Sequence, residues 1–412
     1  MTGGTGGTGG TSAGPAGRRS PPPVAIYHNI VWPKYKGAVF TALHQLAQGS
    51  GWPISFVQVA QTEGERVALS GVDLRYHRYP FELLFEGAYE AVPRGRLAWA
   101  LFRHVWRHPA ALVVMPGYHR PEYWAMLLAC LLRGKRRAVF CDSTGQDKRR
   151  AALGAWAKGL AKRVFFQLCD GYFCYGQRSA EYLQAQGAHA DHIYPGCQAA
   201  ALPLGFNAEA ALARRVAARA ADPEARFLYV GRLAPEKDLP TLLQAFKRFA
   251  DARGGARLVL VGAGPMREAL QAQVQALGLA DVVEFTGALD IDALSDQYAR
   301  ALCLVLPSSS EPWGLVANEA LHHGCPVLVS EACGCRPELV VDGVTGYAHA
   351  VGDVAGLAQA LGRVAETLAD AAVVGAACQR LMTAYTPQRA AAVILQGCAR
   401  SLDQPVVLGP AT

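Results

Sequence analysis

Apolar stretches of strand length alternate with amphipathic helical patterns along most of the chain, from Val24 to about residue 368. The first series has five apolar stretches, VAIYHN, PISFVQVA, ALVVMP, RAVFCD and GYFCYG, and helical patterns that begin near Gly37, Pro93, Pro121 and Lys148. Such alternation predicts β-α-β units and therefore a parallel sheet with helices on both faces.

The same alternation starts again in the second half of the chain, after an Ala- and Arg-rich segment. Its strands are predicted in RFLYVG, ARLVLVG, VVEFTG, LCLVLP and PVLVS, with helices over 238–252, 265–277 and 313–323. The pattern therefore predicts an α/β protein with two Rossmann-like, doubly wound domains that face a central cleft, where ligands of such sheets bind. The predicted boundaries are a disordered tail at 1–23, a first domain at 24–200, a connector at 201–225, a second domain at 226–385, and a C-terminal helix and tail at 386–412. That helix could pack on either domain.

Composition agrees with two domains. A chain of 412 residues with 51% hydrophobic content is longer than a domain with one hydrophobic core usually is. The first 23 residues contain almost no large apolar side chain, which predicts disorder and no signal peptide. No apolar run reaches about 18 residues, so a cytoplasmic protein is expected. Eleven cysteines without a C-x-x-C pair indicate reduced thiols, and Cys325, Cys333 and Cys335 are expected to be small buried residues.

Charge is distributed unevenly between the two halves. Residues 1–206 contain 23 Lys and Arg against 12 Asp and Glu, a net charge of +11, whereas residues 207–412 contain 17 against 21, a net charge of −4. The first half is therefore expected to lie near an anionic partner. No nucleic-acid-binding motif is present, so nucleic acid is not the expected partner.

Four charged residues of the second half stand at loops between strands and helices. Arg232 and Lys237 follow the strand RFLYVG, where two cations could neutralise a diphosphate. Glu311 and Glu319 flank Gly314, and on a continuous helix they would lie roughly 12 Å apart along the axis. That separation suits the two ends of an elongated ligand, and a bare helix N-terminus at Gly314 suits an anion between them.

The stretches GRLAPEKDLPTLLQAF, VGAGPMREAL, VEFTGAL and PSSSEPWGLVANEALHHGCPVLVSEACGCRPELVVDGVTGY together resemble the group 1 (family 4) glycosyltransferases, which are retaining enzymes of the GT-B fold. The resemblance covers roughly residues 226–350. It implies that the second domain binds a nucleotide diphosphate sugar and that the first holds the acceptor. The donor contacts it implies are Arg232 and Lys237 to the diphosphate, Glu311 to the sugar hydroxyls, Glu319 to the ribose, and the backbone amides of Trp313, Gly314 and Leu315.

The first half resembles the family less strongly. Gly37 stands where the first strand turns into a helix and could let the backbone approach the phosphates. Many relatives carry a histidine where this chain has Asp142, which could orient a sugar hydroxyl or the acceptor, or only cap a helix. His119 follows another strand and could contact the acceptor or lie on the surface. The predicted catalytic residues are Arg232, Lys237, Glu311 and Asp142.

Several alternatives remain open from the sequence. Asp290 and Asp292 could bind a metal, but Asp also favours the first turn of a helix, and we expect no metal or other cofactor. The expected reaction is sugar transfer with retention to a hydroxyl of a lipid-linked or polysaccharide precursor. A nucleotide-sugar epimerase, a sugar phosphorylase or a catalytically silent scaffold could use the same fold. Two helices that combine cations with aromatic residues, at 94–109 and 148–168, could dock on an anionic membrane.

Overall fold

The computed structural model describes residues 20–64, 71–145 and 155–405, without the side chains of residues 155–158. Of the predicted tail, residues 1–19 lie outside the described residues. Two parallel sheets form the cores of two domains, as the alternating pattern predicted.

The N-terminal sheet has seven parallel strands in the order β3-β2-β1-β4-β5-β6-β7. Its elements are β1 (Val24–Ile30), α1 (Lys34–Ser50), β2 (Ile54–Ala60), β3 (Phe81–Leu83), α2 (Arg94–Arg107), β4 (Leu112–Met115), α3 (Pro121–Leu132), β5 (Arg136–Cys141), α4 (Ala155–Gln167), β6 (Gly171–Cys174), α5 (Gln177–Ala185) and β7 (Ile193–Pro195). The chain order reverses between β1 and β4, and this reversal creates a crevice at the carboxyl ends of the strands.

Side chains of β1 alternate between the two faces of this sheet. Ala25 and Tyr27 pack with the helices α2, α3, α4 and α5, whereas Val24 and Ile26 pack with α1 and with the last helix of the chain. Both faces are therefore covered, which explains why the strand sequence is continuously apolar rather than alternating with polar residues.

The C-terminal sheet has six parallel strands in the order β10-β9-β8-β11-β12-β13, with its reversal between β8 and β11. Its elements are α6 (Ala208–Ala221), β8 (Ala225–Val230), α7 (Leu239–Arg253), β9 (Ala256–Val261), α8 (Arg267–Ala276), β10 (Val283–Gly287), α9 (Ile291–Arg300), β11 (Cys303–Leu306), α10 (Leu315–His322), β12 (Val327–Ser330), α11 (Arg336–Leu339), β13 (Gly346–His349), α12 (Val354–Thr367) and α13 (Ala371–Met382).

The segment predicted as a connector contains the helix α6, which packs on α9 and α13 of the C-terminal domain. Its Arg215 is fully buried and donates hydrogen bonds to the carbonyl oxygens of Tyr298, Ala301 and Leu302. These bonds satisfy carbonyls at the end of α9, so α6 is an integral part of that domain.

The last helix, α14 (Pro387–Ser401), crosses back and packs on α1 and on β5, β6 and β7 of the N-terminal domain. Gly397 allows this packing, because a Cβ there would lie 2.3 Å from the Phe173 ring. The choice between domains that the sequence left open is thereby decided. No helix within the described part of the chain is long and apolar enough to cross a membrane.

Candidate functional site

The first part of the site is the loop that follows β8. Gly231 adopts a φ of 157°, and the loop continues through Arg232 to a 3-10 turn over Pro235–Lys237. Gly262 lies against it so closely that a Cβ would stand 1.9 Å from the Gly231 carbonyl oxygen. The glycines of VGAGP therefore serve to pack the loop after β9 against the loop after β8.

Lys237 forms an ion pair with Glu311, and each of these side chains is only 15% exposed. The backbone carbonyl of Glu236 accepts hydrogen bonds from the Ser309 amide at 2.9 Å and from the Ser309 hydroxyl at 3.2 Å. The loops after β8 and β11 are thus held together, and two predicted site residues meet. Arg232 is 60% exposed beside them, with its guanidinium 2.7 Å from the Glu236 carboxylate.

The helix α10 begins directly beside this ion pair. Gly314 is its N-cap, with a φ of 98° and no side chain to cap the first backbone N–H groups. Trp313 is buried, and its indole N–H donates to Asn318 at 2.8 Å, which fixes the entry to the helix. The prediction of an uncapped helix N-terminus between the two glutamates is confirmed.

The separation of the two glutamates was estimated with helical geometry over all eight positions, and this geometry does not apply to Glu311. The helix covers only Leu315–His322, so Glu311 lies in the loop before it and is placed by Lys237. Gly334 packs closely against the same loop, because a Cβ at this position would stand 1.8 Å from the Pro312 carbonyl oxygen. The position of Glu311 is therefore set by tertiary contacts rather than by helix geometry.

Glu319 lies on α10 itself and accepts a hydrogen bond of 2.9 Å from the hydroxyl of the buried Tyr298. Burial raises the pKa of Glu319 to about 7, while the Tyr298 hydrogen bond and the charge of Lys34 act in the opposite direction. A carboxyl with such a pKa changes its charge near neutral pH.

The N-terminal domain contributes a pocket of about 200 Å³ at the carboxyl ends of β1, β4, β5 and β6. His119 and Asp142 both line it, so two residues predicted from separate strands do lie together. Both side chains are exposed at this pocket. The residues that follow Gly145 are outside the described part of the chain, so the alternative role of Asp142 as a helix cap stays a prediction.

Gly37 lies inside the first turns of α1, and its amide donates to the Pro33 carbonyl at 3.1 Å. A Cβ at this position would stand 2.8 Å from the buried ring of His77. Because its amide is used within the helix, the structure gives Gly37 a packing role, and its predicted approach to phosphates stays a prediction.

The two halves of the site touch each other directly. The Gln177 amide at the start of α5 donates to the Glu338 carboxylate at 2.5 Å, and Tyr175 contacts the Trp313 ring edge-on at 6.4 Å. Arg178 also donates to the backbone carbonyl of Glu331. The pocket of the N-terminal domain therefore opens beside the loop that carries Glu311 and Trp313.

Several other predicted residues have structural roles. Asp290 caps α9 by accepting from the Ala293 amide at 2.8 Å, as the non-metal alternative predicted. Asp238 is the N-cap residue of α7 with a φ of 48°, and its carboxylate accepts a hydrogen bond from the Thr241 hydroxyl rather than from a backbone amide. His322 and His323 are buried at the end of α10, and burial lowers the pKa of each to about 4.

Cys325, Cys333 and Cys335 are fully buried in the core of the C-terminal domain, as expected of small packing residues.

Sequence reasoning missed two residues of the site. Tyr298, the partner of Glu319, comes from α9 and carries no sequence signal of its role. Lys36 lines the N-terminal pocket and is buried, and it directly precedes Gly37, which the sequence analysis had placed at the turn from the first strand into a helix. Its position beside Gly37 at a strand-to-helix turn was the signal that could have identified it.

Comparison with known proteins gives a consistent result for the C-terminal domain. Residues 213–371 match the family model described as glycosyl transferases group 1. The chain is 39% identical over 137 residues to a glycogen synthase of Mycobacterium tuberculosis, covering 33% of each chain. It is 39% identical over 149 residues to a D-inositol 3-phosphate glycosyltransferase of Streptomyces scabiei, covering 34% of this chain and 33% of the relative. The alignments thus span about a third of these relatives.

The whole fold also matches a solved structure. The crystal structure of Anabaena HepE in complex with UDP superposes with a TM-score of 0.67 at 16% identity, covering 92% of this chain and 99% of that one. The predicted fold of two facing Rossmann-like domains is confirmed.

Proposed function

Because residues 213–371 match the family model of the group 1 glycosyl transferases, we propose that this protein is a retaining glycosyltransferase that moves a sugar from a nucleotide diphosphate sugar to a hydroxyl acceptor. The observation that carries the proposal is the Lys237–Glu311 ion pair beside the uncapped N-terminus of α10. A cation, a carboxylate and the positive end of a helix dipole lie together at these two neighbouring loops. The cation and the helix N-terminus suit a diphosphate, and the carboxylate suits a ring that bears hydroxyls.

The roles follow from the chemistry of each group. Arg232 and Lys237 neutralise the diphosphate as the glycosidic bond breaks, and the first N–H groups of α10 support the same charge. Glu311 accepts hydrogen bonds from sugar hydroxyls, and Glu319 accepts from the ribose. The acceptor hydroxyl attacks from the face that the diphosphate leaves, and the departing phosphate oxygen takes its proton.

A screen of nucleotide sugars tests this function. The protein is heated with UDP, GDP or ADP sugars, and a true donor raises the apparent melting temperature because it binds only the folded state. The selected donor is then incubated without acceptor. Epimerised sugar would indicate an epimerase, and phosphate-dependent turnover would indicate a phosphorylase. Binding without any turnover, even with an acceptor panel, would indicate a silent scaffold.

Activity is expected to survive chelation, because Arg232, Lys237 and the N-terminus of α10 supply the positive charge that a metal would otherwise supply. Turnover with a saturating donor is measured before and after treatment with EDTA. Loss of turnover that Mg²⁺ or Mn²⁺ restores would contradict the proposal of a metal-free reaction.

Donor affinity is expected to fall as the pH drops from about 8 to about 6, because Glu319 has a pKa of about 7 and only its ionised form can accept from both ribose hydroxyls. The decrease cannot exceed about tenfold per pH unit for one proton. Titration calorimetry at several pH values measures it. Glu319→Gln should bind more weakly but without this slope, and a flat profile in the unmodified protein would remove Glu319 from the donor site.

The acceptor is proposed to be lipid-linked, because α2 and α3 present an apolar surface with basic residues around it. Trp99, Phe102 and Trp106 stack in a row on α2, with ring centroids 5.8 and 5.7 Å apart. Trp99 is 63% exposed, and Leu128, Leu131 and Leu132 are exposed on the adjacent α3. Aromatic rings beside arginines on a helix surface are typical of contact with a membrane interface.

A cavity of about 600 Å³ adjoins this surface and is lined by Arg96, Arg103 and Arg107 together with Trp99. These arginines suit the phosphates of anionic lipids, which the cytoplasmic leaflet carries. On α4, Leu160 and Val164 are exposed, but Lys162 turns inward over the Tyr118 ring. Lys148, Arg149 and Arg150 lie outside the described residues, as does the side chain of Lys158.

The protein is expected to co-sediment with liposomes that contain anionic lipid and to dissociate at high salt. Replacing Arg96, Arg103 and Arg107 with Gln should weaken binding about 100-fold, since each charge near the surface contributes about 1 kcal/mol. The matched control replaces Lys247, Arg248 and Arg253 of the other domain with Gln and changes the net charge equally. Equal loss in both variants, or no binding to anionic liposomes, would favour a soluble acceptor.

A further inference from the structure

Lys36 is a buried cation in the pocket of the N-terminal domain. It lies in the first turn of α1, and its side chain is only 3% exposed. Its ammonium group lies over the rings of Phe140 and Tyr175, at 4.8 and 5.4 Å from their centroids. Both rings also line the pocket of about 200 Å³, so Lys36 forms part of the wall that a ligand would meet.

The ammonium group of Lys36 lacks a hydrogen-bond partner among the residues that the structure describes. Burial in apolar surroundings lowers the pKa of Lys36, and the charges of Cys197 and Asp142 act in the opposite direction. Aromatic faces compensate only part of the lost hydration, since a cation–π contact contributes about 0.5 to 2 kcal/mol and leaves the three N–H donors unused. A buried ammonium with unused donors is costly unless a ligand satisfies it.

The position of the pocket indicates which part of a substrate reaches Lys36. Tyr175 contacts both the Lys36 ammonium and Trp313 of the other domain, so the pocket adjoins the loop assigned to the transferred sugar. Glu319, assigned to the ribose, lies within α10, and the charge that acts on it from the N-terminal domain is that of Lys34. The ligand group at Lys36 therefore belongs to the transferred sugar or to the acceptor.

We propose that Lys36 binds an acidic group, a carboxylate or a phosphate, on the sugar or acceptor that occupies this pocket, so that the protein prefers acidic substrates to neutral ones. The proposal rests on the glycosyltransferase function and adds a substrate class to it. An anion in contact with the ammonium would accept hydrogen bonds from its unused N–H groups, and it would also compensate the buried charge.

The other charged and titratable groups of the pocket have separate roles. Asp142 and Glu63 line it as well, and the Lys36 ammonium forms no hydrogen bond with either carboxylate among the described residues. In this proposal the two carboxylates accept hydrogen bonds from hydroxyls of the bound ring. His28 is neutral, because burial lowers its pKa to about 3, and burial also lowers the pKa of His119. Lys36 is thus the cation that an acidic substituent meets.

The test uses matched probes that differ only in the acidic group. Calorimetry measures the affinity of UDP, UDP-glucose and UDP-glucuronate, and then of glucose, glucuronate and glucose 6-phosphate added to the UDP-saturated protein. We expect one acidic probe to bind about 10- to 100-fold more tightly than its neutral match, as a hydrogen-bonded charge allows. A preference among the UDP sugars assigns the acid to the donor sugar, and a preference among the free sugars assigns it to the acceptor.

Lys36→Met should remove this preference while the affinity for UDP stays within about threefold, because the UDP contacts lie in the C-terminal domain. Lys247→Met on the exposed face of α7 is the matched control and should keep the preference. The melting temperature of Lys36→Met without ligand should not fall, because methionine removes an uncompensated buried charge. If Lys36 only stabilised the fold, Lys36→Met would instead lower the melting temperature and leave the selectivity unchanged.

Three results would overturn the inference: equal affinity for every acidic and neutral pair, a preference that survives in Lys36→Met, or an equal loss for UDP and for both UDP sugars, which would place the lysine at the diphosphate. If no nucleotide binds at all, the proposed function itself fails. The two failures are therefore distinguishable.

Discussion

Lys237→Ala and Arg232→Ala are each expected to lower kcat by about 10²- to 10³-fold, the usual cost of removing one preorganised contact to a charge that develops in the transition state. Lys237 is the better placed of the two, because its ammonium is held by Glu311 and lies beside the N-terminus of α10. Arg232 is mostly exposed before donor binding, and its planar fork is suited to two phosphate oxygens. Steady-state kinetics with the selected donor measure both effects.

The control for this pair is Lys247→Ala, which removes an exposed lysine that pairs with Asp251 on α7 and should leave kcat unchanged. Melting temperatures separate catalysis from folding. Lys237→Ala leaves the Glu311 carboxylate without its partner in a half-buried loop, so a modest loss of stability is expected, but it cannot explain a 100-fold loss of turnover at a temperature where the protein is folded. Unchanged turnover in both variants would contradict the assignment of the donor site.

The elements predicted best from the sequence are those with a long, continuous apolar run. Strands such as β1 and β9 are buried on both faces, so their sequences are continuously apolar and predict a buried strand. The short strands β3 and β7, of three residues each, carry too few positions for a pattern and were missed. The connector was misjudged for a related reason: α6 has a weak apolar stripe, and what holds it in place is the buried Arg215 bonded to carbonyls of α9.

The site was predictable where chemistry is local and unpredictable where it depends on distant contacts. Lys237, Glu311 and Gly314 lie in the segments that follow β8 and β11, and the parallel sheet brings such positions to one edge. The pKa of Glu319 depends on burial and on Tyr298, 21 residues away in the chain, and no spacing rule reveals that contact. Lys36 was overlooked because a lysine near the start of a helix is ordinarily solvated, and only packing against Phe140 and Tyr175 shows that this one is not.

Gly176→Ala is expected to reduce kcat by about 100-fold while each domain remains folded. A Cβ on Gly176 would stand 2.1 Å from the Glu338 carboxylate oxygen and 2.5 Å from the Trp313 ring, both in the other domain. The backbone at Gly176 is extended, with a φ of −167°, which alanine also adopts, so the substitution acts through the contact between the domains. Displacing reacting groups by about 1 Å is sufficient for such a loss.

Gly362→Ala provides the matched control, because a Cβ there has no atom within 4 Å and lies on the helix α12, where alanine should be about 1 kcal/mol more favourable than glycine. Small-angle scattering of Gly176→Ala should show a larger radius of gyration, and its affinity for UDP should change little, because the contacts of the nucleotide lie within the C-terminal domain. The catalytic loss would then arise from separating Lys36, Asp142 and His119 from Glu311, not from losing the donor. Full activity in Gly176→Ala would show that catalysis does not require the contact of Gly176 with Glu338 and Trp313, and that the pocket of the N-terminal domain is not positioned by it.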